Sequence, residues 1–280
     1  MIYGLKRTFA ALAVTSLVIL SGYAEAPVSK DLSSVPEQDG FVEAVALGDA
    51  PAVGAFLARG VALEGHDRYG RTALVAAADA GHAAIVAALL SAGAMVNASK
   101  PDGWTPLMAA AQKGHRSVVQ QLLDAGAGLT SRLADGYTPL LAAIESANPE
   151  LVAQMVDAGA DPNDAAFDGW TPLMAAALRE QPDVVRELLA VGANPDARNR
   201  DAWTALLAAV ETGNEEVVHA LIEGDATVDA APWDGWTPLM RASARGNNWM
   251  VSTLRDKGAS THAELADTDM SVDAVIEPPQ

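Results

Sequence analysis

No cysteine occurs anywhere in the 280 residues. A disulfide framework, a thiolate zinc site and a cysteine nucleophile are therefore excluded. Aromatic residues are scarce at 5%, too few for the strands of a β-sandwich and compatible with a stack of helices built from small residues. Cations are scarce as well: 18 Lys and Arg stand against 36 Asp and Glu, a net charge of −18. Phosphate contacts need a basic patch, so nucleic acid is not an expected partner. Hydrophobic residues, by contrast, make up 50% of the chain, which excludes disorder of the chain as a whole.

The first residues read as an address. Lys6 and Arg7 form a basic start, residues 9–20 are an apolar run of 12, and Ser21, Gly22 and Ala24 follow. This three-part order predicts a signal peptide over 1–24 and export to the periplasm or beyond it. Twelve helical residues reach about 18 Å, short of a hydrocarbon core of ~30 Å, so no transmembrane span is expected in the mature chain. Cleavage fits after Ala24; a second candidate after Ala26 places Pro27 just past the cut. Leu20-Ser21-Gly22-Tyr23 has the shape of a bacterial lipobox, but Tyr23 stands where lipidation requires Cys, so no lipid anchor is expected. Losing 1–24 removes Lys6 and Arg7 and no acid, taking the charge from −18 to −20. Residues 25–38 read as a polar linker.

A period governs the rest. Thr72-Ala73-Leu74, Thr105-Pro106-Leu107, Thr138-Pro139-Leu140, Thr171-Pro172-Leu173, Thr204-Ala205-Leu206 and Thr237-Pro238-Leu239 recur every 33 residues without an insertion, which marks a repeat array. A weaker copy starts at Asp39, with Phe41, Gly48 and Gly60 in the places of Leu74, Gly81 and Gly93. Seven repeats over 39–268 are expected, followed by an acidic, disordered tail over 269–280.

Each part of the repeat has a physical task. Thr105 is suited to cap a helix N-terminus, and Pro106 to the first helical position, where its missing N–H costs nothing. Leu107, Ala110 and Ala111 give a thin helix, and Gly114 supplies the left-handed turn that ends it. Val118, Val119, Leu122 and Leu123 form one apolar stripe on a second helix. Asp135-Gly136 then predicts the turn before the next Thr. Asp225 stands where Gly126 does, so strain is expected at that turn. The last copy has Arg241, Thr253 and Arg255 where the copy at Thr105 has Ala109, Gln121 and Leu123. These read as polar residues on the exposed end face of a terminal repeat.

These fragments resemble the ankyrin repeat over about 230 of the 280 residues. The resemblance implies an all-α repeat solenoid, each unit a hairpin followed by two antiparallel helices, and non-catalytic protein binding through the hairpin tips and the concave face. Departures exist. The family often has His in the fourth place of its Thr-Pro-Leu-His motif; here Val75, Met108, Leu141, Met174, Leu207 and Met240 stand there. Gly-His at the second-helix entry survives as Gly81-His82 and Gly114-His115.

The search for chemistry returns little. The histidines are His66, His82, His115, His219 and His262, and none has a metal-motif spacing. His82 and His115 lie one repeat apart and read either as a metal pair or as ordinary helix-entry residues, the second being favoured. The glycines are periodic and end helices rather than cradle phosphate, and Gly-x-Ser-x-Gly is absent. Asp161, Asn163 and Asp164 lack the spacing of an EF-hand loop. No catalytic residue, cofactor or metal is expected.

The aromatics look aimed. Trp104, Tyr137, Trp170, Trp203 and Trp236 each precede the repeated Thr, and Tyr69, Phe167 and Trp233 lie in the same turns. At about 10 Å per repeat they predict a ladder of roughly 40 Å, either bracing the hairpins or forming a binding stripe. Beside it, Lys113, Arg179 and Arg245 fall at first-helix ends, placed either to anchor a partner's carboxylates or to meet the helix dipole. The expected function is binding of a protein, by charge a basic one, in a Gram-negative cell envelope. Toxin neutralisation and stress defence are roles suggested by family analogy. The alternative is carbohydrate or cell-wall binding, with the ladder stacking on sugar rings.

Overall fold

The computed structural model describes residues 37–260. The expected signal peptide and tail, and all but two residues of the expected linker, lie outside the described residues.

Fourteen α-helices occur among the described residues, arranged as seven pairs. They are α1 Glu37–Leu47, α2 Ala50–Ala58, α3 Ala73–Ala80, α4 Ala83–Ser91, α5 Pro106–Gln112, α6 Arg116–Asp124 and α7 Pro139–Glu145. The second half holds α8 Pro149–Asp157, α9 Pro172–Leu178, α10 Pro182–Ala190, α11 Ala205–Thr212, α12 Glu215–Glu223, α13 Pro238–Ala244 and α14 Asn248–Asp256. The first helix thus begins at Glu37, one residue before the expected end of the linker at Gln38.

First helices pack in one row and second helices in another. Six threonines start the first helices from Thr72 onward, each hydroxyl accepting the N–H three residues later. All six are buried, so these caps belong to the interior. Columns of alanine, including Ala77, Ala110, Ala143, Ala176, Ala209 and Ala242, are fully buried where successive first helices meet. Only a methyl group fits between helices packed this closely, so larger residues there would force the rows apart. Val118, Val119 and Leu122 are buried as the apolar stripe predicts, and Leu123 is half-buried at its margin.

The junctions between repeats are stitched by repeated bonds. Glu64, Asn97, Asn163, Asp196 and Asp229 each accept, on a side-chain oxygen, the N–H 31 residues further on, at Met95, Gly128, Asn194, Thr227 and Ser260. His82 and His115 serve the same end. Their Nε2 atoms lie 3.1 and 3.0 Å from the carbonyl oxygens of Ala46 and Asp79 in the preceding repeat. Each ring presses on a glycine: a Cβ on Gly48 would come within 2.8 Å of His82, and one on Gly81 within 2.6 Å of His115. The two imidazoles are therefore committed to separate junctions rather than to a shared ion.

The left-handed position that ends each first helix holds glycine in five repeats and Ala147 and Glu180 in two. Asp225 also has positive φ, at 61°, as its place in the repeat predicts. Arg241 departs from expectation. Read as a residue of an exposed end face, it is only 6% exposed. Its guanidinium lies 4.7 Å from the centre of the Trp203 ring and pairs with Asp234 at 2.5 Å and Glu211 at 3.4 Å. Three elements close over it, which a polar residue on a terminal face does not require.

Candidate functional site

The hairpins are built by short acceptors. Asp102, Asp135, Asp168 and Asp234 each accept, on Oδ1, the N–H of the aromatic two residues later, at Trp104, Tyr137, Trp170 and Trp236. Asn199 takes this part for Trp203, at 2.8 Å. The aromatic carbonyl then accepts an N–H from across the turn, as Lys100 gives to Trp104 and Leu133 to Tyr137, both at 3.0 Å. Pro232 occupies the donor's place opposite Trp236 and has no N–H to give.

Successive hairpins join into a ladder. Phe167 donates its N–H to the Asp135 carbonyl at 3.0 Å, Arg200 to Asp168 at 3.0 Å and Trp233 to Asp201 at 3.5 Å. The longest rung has a cause. The first two pass glycines, Gly136 and Gly169, and a Cβ on Gly136 would lie 2.4 Å from the Phe167 nitrogen. At the third rung that place holds Ala202, with φ 59°. Ala202→Gly is therefore expected to shorten the rung and stabilise the fold by up to about 1 kcal/mol, relief of positive-φ strain outweighing glycine entropy. Thermal unfolding of the two proteins checks this, and a lower midpoint in the variant would contradict it.

The expected ladder of exposed aromatics breaks into parts. Trp104 and Tyr137 stack on each other with centroids 6.1 Å apart, closer than one repeat step, and both rings are half-buried. Trp170 is half-buried against the core. Trp203 is 9% exposed, beneath Arg241. Trp236 is 44% exposed, Trp233 is 59% exposed and Phe167 is 55% exposed, and these three, with exposed Tyr69, leave large apolar surface at the tips. Membership of one sequence column thus does not confer one environment.

The first-helix ends carry two carboxylate hubs. Glu145 accepts from Gln112 Nε2 at 2.7 Å, from Arg179 Nη2 at 3.0 Å and from the Tyr137 hydroxyl at 2.6 Å, tying three consecutive repeats together. Glu211 takes Arg241 and Arg245 of the last repeat. Arg179 and Arg245 are therefore engaged within the molecule, whereas Lys113 is exposed and makes no ion pair among the described residues. The sequence places Glu145 and Glu211 on the same first-helix rim as these cations; what it leaves open is the pairing, Glu145 with Arg179 and Glu211 with Arg245, each across 34 residues. Burial pushes the Tyr137 phenol well above its ordinary value, and the Glu145 carboxylate beside it pushes further in the same direction.

On the second-helix side lies an open groove of about 720 Å³, lined by Arg116, Gln120, Gln154, Glu150, Asp157 and their neighbours. Gln154 crosses it, donating to Gln120 Oε1 at 3.0 Å. Among the described residues no cluster of three or more His, Cys, Asp or Glu is placed to hold a metal ion, and no helix is long and apolar enough to cross a membrane.

Paired helices, buried threonine caps and hairpins in a 33-residue register define a solenoid of stacked hairpin and helix-pair units. The three-copy ankyrin-repeat family profile matches residues 41–133, 125–199 and 181–264, and the chain belongs to the ankyrin-repeat family. Among solved structures it is similar to the human ASB11 ankyrin repeat domain: 27% identity, 79% of this chain and 98% of that one covered, TM-score 0.71. No curated protein matches the chain by sequence. Ankyrin repeats generally mediate protein–protein interaction, and the family's members are typically interaction modules rather than catalysts.

Proposed function

We propose that this protein is a non-catalytic binding scaffold of a Gram-negative cell envelope that holds a basic protein partner against its hairpin tips. The observation that carries the reading is the exposure of Phe167, Trp233 and Trp236 on a hydrogen-bonded ladder. Rings of this size on a rigid frame supply contact area with little entropy loss, and such rings dominate interface energies. The leader-like order of residues 1–24 supports export. A net charge of −18 favours a cationic partner through faster encounter, and an exported toxic enzyme held out of action fits that chemistry. Lys113 offers an exposed cation at the far end of α5; Trp104, Tyr137 and Trp170 brace the hairpins, and Trp203 lies beneath Arg241.

The test is capture from the envelope fraction with the parent and with Phe167→Ser/Trp233→Ser/Trp236→Ser, once both show the same helicity and melting temperature. A basic protein held by the parent, lost by the variant and weakened by salt is the expected result. A partner held equally by both removes the tips from the interface. A change of tryptophan emission on adding cell-wall glycan fragments, with no protein captured, favours the carbohydrate reading.

A further inference from the structure

Two arginines at the hairpin tips lack the carboxylates that their counterparts in other repeats possess. Arg68 and Arg200 hold one position of the 33-residue frame, and Arg132 and Arg198 another. Arg68 pairs with Asp39 at 3.2 Å, 29 residues back, where Arg200 has Thr171. Arg132 pairs with Asp164, 32 residues on, where Arg198 has Ala230. Arg198 and Arg200 are exposed, and among the described residues neither guanidinium makes an ion pair. Neighbouring acids are committed elsewhere. Asp168 accepts the Trp170 N–H, Asp196 accepts from the N–H and hydroxyl of Thr227, and Asp234 pairs with Arg241. Asp201 follows Arg200 in the chain and makes no ion pair with it. The tips thus hold unpaired cations on a molecule whose net charge is −18.

Rings flank Arg200. Phe167, Arg200 and Trp233 occupy one position of three successive hairpins, and their N–H groups make the rungs of the ladder. Trp233 also donates from Nε1 to the Arg200 carbonyl at 2.8 Å, which fixes its ring against the Arg200 backbone. Phe167 lies against Gly136, where a Cβ would come within 2.7 Å of the ring, and the Arg132 guanidinium sits 5.9 Å from the ring centre. The order along the ladder is ring, cation, ring, at about 10 Å per step. This spacing selects what fits. In an α-helix, residues seven apart share a face and lie about 10.5 Å from each other. In a β-strand the same distance is three residues, which point to opposite faces. A polyproline helix has a similar turn but docks between close-set rings, and Phe167 and Trp233 are two repeats apart.

We infer that the hairpins of Phe167, Arg200 and Trp233 take a helix of the protein partner that runs along the ladder and carries a carboxylate between two apolar side chains at seven-residue spacing. The carboxylate pairs with Arg200 and Arg198, whose guanidinium forks match its geometry, and the apolar side chains lie on Phe167 and Trp233. Net charge draws the partner in as a whole; at the contact the sign is reversed, and that local reversal sets the register of the helix. The inference rests on the tips being the docking surface.

The probe is an alanine-based helical peptide carrying leucine, glutamate and leucine at seven-residue intervals, with a control that has lysine for the glutamate. Both are titrated at about 0.15 M salt, which screens charges beyond ~8 Å, and followed by tryptophan emission and peptide anisotropy. The glutamate peptide is expected to bind the full chain about tenfold more tightly than the lysine peptide. Arg198→Gln/Arg200→Gln changes only exposed side chains, so it should keep the parent's melting temperature while binding the two peptides alike. Arg198→Glu/Arg200→Glu should reverse the preference. No binding of either peptide by the parent, equal binding of both, or a preference that survives Arg198→Gln/Arg200→Gln overturns the inference. Tighter binding of a proline-rich peptide with the same side chains three residues apart overturns the helical form. An envelope partner lost on Phe167→Ser/Trp233→Ser/Trp236→Ser but held equally by the parent and by Arg198→Gln/Arg200→Gln overturns it as well, and leaves the tips as the docking surface.

Discussion

Arg241→Ala is expected to destabilise the fold by about 2–3 kcal/mol and to release the last repeat before the others unfold. Breaking a buried ion pair by removing one partner costs on the order of 3–5 kcal/mol. The lower figure applies because the Glu211 and Asp234 side chains keep solvent access, at 21% and 38% exposure. The cation also covers the Trp203 ring, a contact of about 1 kcal/mol. In a repeat array the loss falls on the nearest junction, here between α11 and α13, and so appears as a separate early step. Urea unfolding followed by tryptophan emission should show that step in Arg241→Ala. Arg241→Met, which keeps most of the packing volume over Trp203, should fall between variant and parent. A single transition with an unchanged midpoint in Arg241→Ala would return this residue to a surface role.

The contrast between Arg241 and Thr237 shows where sequence reading succeeds. Thr237 caps α13 through a bond to Met240, three residues away, and the requirement repeats every 33 residues. Local bonds of this kind, with the left-handed glycines and the Val and Leu stripes, make the solenoid legible. Arg241 sits in a column that is alanine in the copy at Thr105, and its burial depends on Trp203, Glu211 and Asp234, from three other elements. Nothing local to the residue announces that. The aromatic column fails for a related reason. Each ring's exposure is decided by what the next repeat places over it. Tyr137 covers Trp104, and Arg241 covers Trp203. Trp236 keeps its exposure in the last described repeat. The pairing of Arg179 with Glu145 likewise spans 34 residues, and depends on which helix ends the stacking of neighbouring repeats brings together.

Tyr137→Phe is expected to flatten the loss of stability at alkaline pH. The folded phenol titrates well above its ordinary value because it is buried and faces the Glu145 carboxylate. The unfolded chain releases that proton near pH 10. A group whose folded pKa is raised contributes stability that is fully present below the unfolded pKa and falls as pH rises above it. The unfolded state then binds fewer protons than the folded one, so stability declines by about 1.4 kcal/mol per pH unit, or about 3 kcal/mol between pH 10 and pH 12. At neutral pH the variant loses the hydroxyl's bond to Glu145 Oε1 at 2.6 Å, a charge-assisted bond of about 1.5–3 kcal/mol. Glu145 keeps Gln112 and Arg179, so the lower part of that range is expected. The parent should therefore be the more stable protein at pH 7 and lose its advantage above pH 10. Urea midpoints measured from pH 7 to pH 12 read both effects, and parallel curves would show that the fold does not hold this phenol in its neutral form.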